Sequence, residues 1–333
     1  MMTINTVQYL HSLYPDAKIW VEMSSDEDFK RLLEELNNPS ILLHKLKDVP
    51  LFKNSGLILN NIKRVLAFHK QTNEILSLKP TAVIYLGGDD FSEYYNKYKV
   101  LVELYNSYRL SKSVPVYFLG QTIGPFKSWR EKITSIFLKD AFILTRDKRS
   151  KDYIKNSLGH SKNSVSHDLA FLDLPLQNST EIQERFNLSV GNYVVCVPSG
   201  LATHYTSSLD DYIDCWIEII SMLLADKRFN TCKIILLAHV IKETKRDDRE
   251  IIRMILERMQ ANSLDVTRIH VINDLMLASQ ARSILGNGIM TISGRMHATV
   301  STFQMGKPAI PLSYSVKYQG VIGESLQQGD LII

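Results

Sequence analysis

The chain has 333 residues, which at roughly 150 residues per domain corresponds to about two domains. Apolar residues make up 45% of it and charged residues 22%, proportions that exclude a disordered or fibrous chain. The 39 basic and 35 acidic side chains leave a net charge of +4, too small a surplus over this length to indicate a nucleic-acid-binding protein.

The first half of the chain alternates predicted strands with predicted helices. Short apolar runs at 81–86, 114–119 and 141–144 do not alternate polar with apolar residues, which is typical of strands buried on both faces. Helical periodicity follows over 93–108 and 129–138. This alternation indicates a doubly wound parallel sheet.

The alternation stops over residues 174–191, which carry a proline, polar residues and a glycine without a clear strand, and then it restarts. We therefore predict an α/β protein with two Rossmann-like domains, residues 1–175 and 190–333, whose parallel sheets face a cleft. The second domain is predicted to contain strands 193–197, 233–238, 269–272 and 308–314, helices 209–224, 244–259, 274–281 and 296–304, and a short apolar run at 283–285. Ligands of such sheets bind beyond the carboxyl ends of the strands, so the loops there are candidate sites.

Two glycine-rich turns follow strands of the first domain. Gly87 and Gly88, followed by Asp89, would let the backbone approach a ligand closely, although a tight turn with a helix cap is the simpler interpretation of the glycines alone. A metal site at Asp89 and Asp90 would need a third oxygen ligand, which the sequence does not supply. In the second turn Gln121 could orient a hydroxylated ligand, or the turn could be structural.

Charged side chains end two further strands of the first domain. Arg146 at a strand tip could bind a carboxylate or phosphate through two parallel hydrogen bonds, or it could pair with the neighbouring aspartate. Asp168, next to His167, is predicted to end a short strand, where a hydrogen-bonded corner is the simpler interpretation. The same interpretation applies to His239 at the tip of strand 233–238.

The most informative loop of the second domain is Arg295-Met296-His297, which enters a predicted helix of small residues. The free N–H groups and the dipole of a helix N-terminus favour anions, and Arg295 and His297 add cationic donors there. A lone histidine is more often a core residue. Together with Arg295, however, His297 indicates an anion-binding site.

The remaining features exclude several classes of protein. The three cysteines form no CxxC pair, so neither a zinc site nor a disulfide framework is expected and the chain is predicted to be cytoplasmic. The longest apolar runs, such as 234–238, fall far below the roughly 18 residues of a membrane span. The amino terminus lacks the basic start and apolar stretch of a secretory signal.

Taken together, the motifs resemble those of the polysaccharide pyruvyl transferase family. The resemblance rests on five segments in order, namely YLGGDD at 85–90, GQTIGP at 120–125, TRDKRS at 145–150, HDLAF at 167–171 and GRMHATVSTFQMGKPAIPLSYSVK at 294–317. It implies a fold similar to the two-domain GT-B glycosyltransferases. It also implies transfer of pyruvate from phosphoenolpyruvate to sugar hydroxyls as a cyclic ketal, in polysaccharide biosynthesis.

The resemblance also implies roles for individual residues. Phosphoenolpyruvate would be bound by Arg295, by the backbone of Met296 and by His297, with Arg146 and Lys317 as further cations. From the chemistry of the side chains themselves, His297 could deliver the proton, and a carboxylate, Asp168 or Asp89, could accept one from the acceptor hydroxyl. The remaining predicted substrate-binding residues are Gly87, Gly88, Asp89 and Gln121. No metal or cofactor is expected, because protein cations suffice for both anionic groups.

Two other functions stay open at this point. One is a nucleotide-sugar glycosyltransferase of the same architecture, and the other is a non-catalytic sugar-binding descendant of the enzyme. The expected partners are phosphoenolpyruvate and a saccharide that is free, lipid-linked or nucleotide-linked, with no nucleic acid. Peripheral association with the cytoplasmic face of the membrane is left open.

The resemblance implies one expectation about the ends of the sequence. Chains of this family normally begin with a strand and a Gly-Asn-Gly-Asp-like loop, whereas this sequence begins almost inside the following helix, predicted at 5–14. A closing helix is likewise expected after residue 333. The first strand and the closing helix are therefore predicted to be missing from this sequence.

Overall fold

The computed structural model describes residues 1–47, 57–93, 97–242, 246–315 and 317–333. The chain forms two compact units. The N-terminal unit consists of residues 2–169 and 324–326, and the C-terminal unit of residues 1, 170–323 and 327–333. Segment 174–191, which the sequence analysis uses as the domain boundary, thus belongs to the C-terminal unit.

The N-terminal unit contains a four-stranded parallel sheet in the order β3-β4-β5-β6 and a two-stranded parallel sheet β1-β2. Its strands are β1 (Ile19–Met23), β2 (Leu43–Lys47), β3 (Val83–Phe91), β4 (Val116–Ile123), β5 (Phe142–Thr145) and β6 (Asn163–Val165). Its helices are α1 (Met2–Leu13), α2 (Asp26–Leu36), α3 (Leu57–Ser77), α4 (Lys97–Ser111), α5 (Trp129–Leu138) and α6 (Lys148–Asn156). Fully buried Leu104, Phe118 and Leu138 belong to the core that joins the larger sheet to α4 and α5.

The C-terminal unit is built on a five-stranded parallel sheet in the order β11-β10-β7-β8-β9. Its strands are β7 (Tyr193–Val197), β8 (Lys233–Leu237), β9 (Ile269–Ile272), β10 (Thr291–Ser293) and β11 (Ala309–Pro311). Its helices are α7 (Glu181–Arg185), α8 (Ala202–Tyr205), α9 (Leu209–Ala225), α10 (Asp248–Ala261), α11 (Ala278–Asn287) and α12 (Met296–Gln304). Every residue of β7 is buried, as expected for the central strand of a sheet that is covered on both faces.

These two parallel sheets with their helices confirm the predicted α/β class and the two Rossmann-like domains. The helix predicted at 274–281 is wrong, because α11 begins at Ala278 and includes the apolar run 283–285. Leu277 precedes α11 in extended conformation and donates its N–H to the Gln280 side chain, which fixes the start of the helix there. The predicted starts of helices 93–108 and 244–259 lie partly outside the described residues.

Candidate functional site

Arg295 lies between β10 and α12, at the carboxyl edge of the C-terminal sheet. The Ser293 hydroxyl accepts a hydrogen bond from the Arg295 N–H at 2.9 Å and donates one to the Arg295 carbonyl, also at 2.9 Å. Gly294 donates its N–H to the carbonyl of Val197 at the end of β7, at 2.9 Å. The backbone before α12 is therefore fixed on both sides of the arginine.

The Arg295 guanidinium is paired with Asp248, the first residue of α10. Its Nε lies 3.1 Å from Oδ1 and 3.3 Å from Oδ2 of Asp248, and its Nη2 donates to the same carboxylate and, at 3.0 Å, to the Arg246 carbonyl. The Asp248 side chain is fully buried and that of Arg295 is 9% exposed. Nη1 takes part in none of these bonds, so the pair positions the guanidinium and leaves this edge of it to another partner.

Asp248 also binds two loops at the carboxyl edge of the sheet. It accepts the N–H of Gly200, which follows β7, at 2.7 Å and the N–H of Val240, which follows β8, at 2.8 Å. Burial raises the pKa of the Asp248 carboxyl, while Arg295 and the two amides favour the charged form. One carboxylate therefore connects the ends of β7, β8 and β10.

Gly200 can approach Asp248 because it has no side chain. A Cβ there would lie 2.5 Å from the Arg246 carbonyl oxygen and 2.6 Å from that of Asp247, distances that backbone atoms cannot relieve by a rotamer change. The loop after β7 is thus packed directly on the start of α10.

The two other predicted residues of this loop differ in their surroundings. Met296 is 5% exposed, and its side chain belongs to an apolar cluster with Val300 and Tyr318, so only its backbone is left for a ligand, as the resemblance implies. His297 is partly buried in the first turn of α12. His239 follows β8 and lies near Arg295 and His297. Burial, and then the charges of Arg295, His297 and the amino terminus, lower the pKa of the His239 imidazole to about 3.

Lys317 is joined to the same loop through aromatic side chains. Its Nζ lies 4.9 Å from the centroid of the Tyr314 ring, a cation–π contact. The Tyr314 ring contacts Tyr318 edge-on at 5.4 Å, and the Tyr318 hydroxyl donates to the carbonyl of Gly294 at 3.1 Å. The structure thus brings Arg295, His297 and Lys317 into one region of the C-terminal unit.

The residues predicted as ligand-binding turns in the N-terminal unit lie within strands. The sequence predicts Gly87, Gly88 and Asp89 in a loop after a strand, but β3 continues through Phe91, with an irregular register between Gly88 and Phe91. Gln121 likewise lies within β4, fully buried, where its side chain donates to the Leu86 carbonyl. A Cβ at Gly87 would lie 2.3 Å from the Gly120 carbonyl oxygen, so these residues allow close strand packing, which periodicity did not indicate.

Arg146 and Asp168 form a buried ion pair in the N-terminal unit. Nη1 of Arg146 lies 2.8 Å from Oδ2 of Asp168, and the two side chains are 1% and 0% exposed. Nε of Arg146 donates to the Thr122 hydroxyl at 2.9 Å. The neighbouring Asp147 caps α6 by accepting the Ser150 N–H at 2.7 Å. Arg146 therefore pairs with a distant aspartate rather than the adjacent one, and the substrate roles of Arg146 and Asp168 stay predictions.

Sequence reasoning misses Asp248 and assigns no role to His239. Asp248 follows another aspartate at a helix start, where acidic residues usually serve as caps, and its pairing with Arg295 depends on tertiary structure. Within the described ranges no group of three or more His, Cys, Asp or Glu side chains is arranged to hold a metal ion. Nor does any helix of that part of the chain combine the length and apolar character needed to cross a membrane.

Comparison with known proteins gives one family and one fold. The model of the family described as polysaccharide pyruvyl transferase matches residues 1–316. No curated protein matches the chain significantly. The chain is also similar to solved structures of UDP-N-acetylglucosamine 2-epimerases, at identities that indicate the fold alone.

Three of these structures illustrate the likeness. The enzyme from Methanocaldococcus jannaschii has a TM-score of 0.63 and 13% identity, over 100% of this chain and 85% of its own. The enzyme from Neisseria meningitidis, bound to UDP-GlcNAc, has a TM-score of 0.59 and 12% identity, over 93% and 78%. The enzyme from Rickettsia bellii has a TM-score of 0.59 and 12% identity, over 100% and 80%. The likeness supports the GT-B-like, two-domain fold.

Proposed function

The chain belongs to the polysaccharide pyruvyl transferase family, and we propose that it transfers the pyruvyl group of phosphoenolpyruvate to two hydroxyls of a saccharide, giving a cyclic ketal and phosphate. The family makes the chain a transferase of polysaccharide biosynthesis. The donor, the residues that bind it and the absence of a cofactor are our proposal.

The observation that carries the proposal is the buried Asp248–Arg295 pair at the start of α12. Phosphoenolpyruvate carries a carboxylate and a phosphate, and an arginine fixed by a carboxylate can bind either group with a geometry set in advance. The N-terminus of α12 adds N–H groups that favour an anion. His297 lies in the first turn of that helix, two residues after Arg295.

His297 would act as the acid of the reaction. Its imidazole protonates the methylene carbon of phosphoenolpyruvate while an acceptor hydroxyl bonds to the central carbon and loses its proton. The phosphate group then leaves, and the second hydroxyl closes the ketal. Histidine readily gives and takes protons near neutral pH, and general acid help is typically worth about 100- to 10,000-fold in rate.

Two further predicted residues, Lys317 and Asp168, keep their roles in the proposal. Lys317, held over Tyr314, adds positive charge to the donor region of the C-terminal unit. Asp168 stays the predicted acceptor of the hydroxyl proton, but its carboxylate is fully buried against Arg146. A base must reach the proton that it removes, so the structure supports Asp168 less than it supports His297.

The acceptor is proposed to be a saccharide that is free, lipid-linked or nucleotide-linked. A cytoplasmic location, with peripheral association at the membrane for a lipid-linked acceptor, fits the same proposal. Neither a metal nor an organic cofactor is needed, because the leaving group is an anion that protein cations can stabilise.

The proposal is tested by incubating the protein with phosphoenolpyruvate and a panel of saccharide acceptors while phosphate release is followed. Release that depends on an acceptor, with a pyruvyl ketal found in the product by mass spectrometry, would support it. His297→Gln should lower kcat with little change in the binding of phosphoenolpyruvate, whereas Arg295→Lys should weaken that binding. Exposed His69→Gln, in α3, is the control.

A nucleotide-sugar glycosyltransferase would give a different result. A nucleotide sugar, but not phosphoenolpyruvate, would then raise the melting temperature, since a ligand that binds only the folded state stabilises it. A sugar-binding protein without activity would be stabilised by saccharides and release no phosphate.

A further inference from the structure

The loop after β8 brings a second histidine to the anion-binding region. His239 lies two residues beyond β8, and the next residue, Val240, donates its N–H to Asp248 at 2.8 Å. The same carboxylate binds the Arg295 guanidinium. Arg295 therefore reaches from the end of β10, past the end of the intervening strand β7, to a point beside the backbone of His239.

The His239 side chain is partly buried, and one of its ring nitrogens has no hydrogen-bond partner among the described residues. Its Nδ1 is buried and makes no hydrogen bond to any residue that the structure describes. A buried polar atom without a partner costs about 1–3 kcal/mol, and native structures rarely keep one without a function or a ligand. The unpartnered Nδ1 of His239 therefore indicates that a ligand binds beside it.

The charges around His239 indicate what kind of partner that is. Burial, and then the charges of Arg295, His297 and the amino terminus of the chain, lower the pKa of His239 to about 3. The imidazole is therefore neutral at ordinary pH, and one of its nitrogens carries a proton. An anion held by Arg295 would offset the repulsion and accept a hydrogen bond from that N–H.

We propose that His239 binds an anionic oxygen of the donor substrate through its Nδ1–H, as a third side chain beside Arg295 and His297. The inference rests on the proposed function for the identity of the donor, but the contact itself requires only an anion. A neutral donor strengthens the binding of an anion without adding a further charge to the Arg295–His297 pair. His239 in this role positions the substrate, while His297 remains the acid.

The test compares three variants by calorimetric titration with phosphoenolpyruvate and with inorganic phosphate. His239→Ala removes the donor and should weaken both ligands about 5- to 10-fold, the worth of one hydrogen bond. His239→Asn, whose amide nitrogen can stand near the position of Nδ1, should recover most of the affinity, whereas His239→Gln should not. His270→Asn, in β9 of the same unit, is the matched control and should bind like wild type.

A second measurement, by NMR, detects the contact in the wild-type protein and does not depend on the affinity of any variant. In protein labelled with ¹⁵N-histidine, the His239 Nδ1 resonance is the one absent from the His239→Asn spectrum. It should shift on titration with inorganic phosphate, while the His270 resonances stay in place. If His239→Ala lowers only the melting temperature and leaves both affinities unchanged, or if the resonance does not move, the proposal is wrong.

The outcomes separate this inference from the proposed function. If phosphate binding depends on His239 but no acceptor yields a ketal, the contact stands and pyruvyl transfer does not. If a ketal forms and His239→Ala keeps the affinity for phosphoenolpyruvate, pyruvyl transfer stands and the contact is refuted. A wild-type protein that binds neither ligand refutes the contact as well.

Discussion

Replacing Asp248 by asparagine should destabilise the C-terminal unit far more than the same change at its neighbour Asp247. In Asp248→Asn one carboxylate oxygen becomes an NH₂ group that faces donors: the N–H of Gly200 or of Val240, and the Arg295 guanidinium. The Arg295 side chain is only 9% exposed and would lose its counter-charge. Breaking a buried pair in this way costs about 3–5 kcal/mol.

Asp247 provides the matched control, one residue away. Its side chain is 6% exposed, but its partner Arg249 is 41% exposed, and asparagine can keep the cap that Asp247 forms at the start of α10. Pairs with so exposed a partner are worth about 1 kcal/mol or less. Asp247→Asn should therefore lower the free energy of unfolding only slightly.

The two variants are best compared by urea unfolding, in a background whose tryptophan fluorescence comes from the C-terminal unit alone. Of the three tryptophans, Trp216 is fully buried in the C-terminal unit, whereas Trp20 and Trp129 belong to the N-terminal unit. In a Trp20→Phe, Trp129→Phe background, fluorescence follows the unfolding of the C-terminal unit alone. Equal losses of unfolding free energy in Asp248→Asn and Asp247→Asn would contradict the claim that burial makes the loss of the Asp248–Arg295 pair costly.

Three further predictions follow from the same geometry. Gly200→Ala should lower both the stability of the C-terminal unit and the affinity for phosphoenolpyruvate, because its Cβ would meet the Arg246 carbonyl oxygen at 2.5 Å; retained affinity in a calorimetric titration would contradict this. Folding lowers the His239 pKa from 6.5 to about 3. As the pH falls below 6.5, the unfolded chain therefore binds a proton that the folded chain does not, and the folded state loses stability down to about pH 3. Relative to His239→Asn, the wild type should lose about 2 kcal/mol between pH 8 and pH 5 in urea titrations, and identical pH profiles would count against the depressed pKa. Asp168→Asn should destabilise the N-terminal unit by about 3–5 kcal/mol by leaving Arg146 buried without its carboxylate partner, whereas Asp140→Asn, at the surface, should not. The fluorescence of Trp20 and Trp129 in a variant without Trp216 would measure the difference.

Several elements were accessible from the sequence through their apolar runs or their helical periodicity. Strands 193–197 and 269–272 and helices 129–138 and 296–304 coincide with β7, β9, α5 and α12. The strands β1 and β2 were missed, because their sequences, IWVEM and LHKLK, form neither an uninterrupted apolar run nor a strict alternation of apolar and polar residues. Hydrophobic periodicity detects such strands poorly when helical segments surround them.

The candidate site was accessible only in part. Arg295 and His297 at a helix start are a local signal, since helix dipole and cationic side chains coincide within three residues of sequence. Asp248 lies 47 residues before Arg295, and the two meet because α10 begins at the edge of the sheet where β10 ends. Arg146 and Asp168 meet in the same manner across 22 residues, so their pairing could not be derived from spacing.

The most direct test of the account is the release of phosphate from phosphoenolpyruvate in the presence of saccharide acceptors, measured for wild type and for His297→Gln. The account predicts acceptor-dependent release by the wild type, a pyruvyl ketal in the product, and a rate lower by about 100-fold or more in the variant, which should still bind phosphoenolpyruvate. Phosphate release at equal rates by both proteins would contradict the assignment of the acid. A wild type that releases no phosphate with any acceptor, yet is stabilised by a nucleotide sugar, would contradict pyruvyl transfer itself.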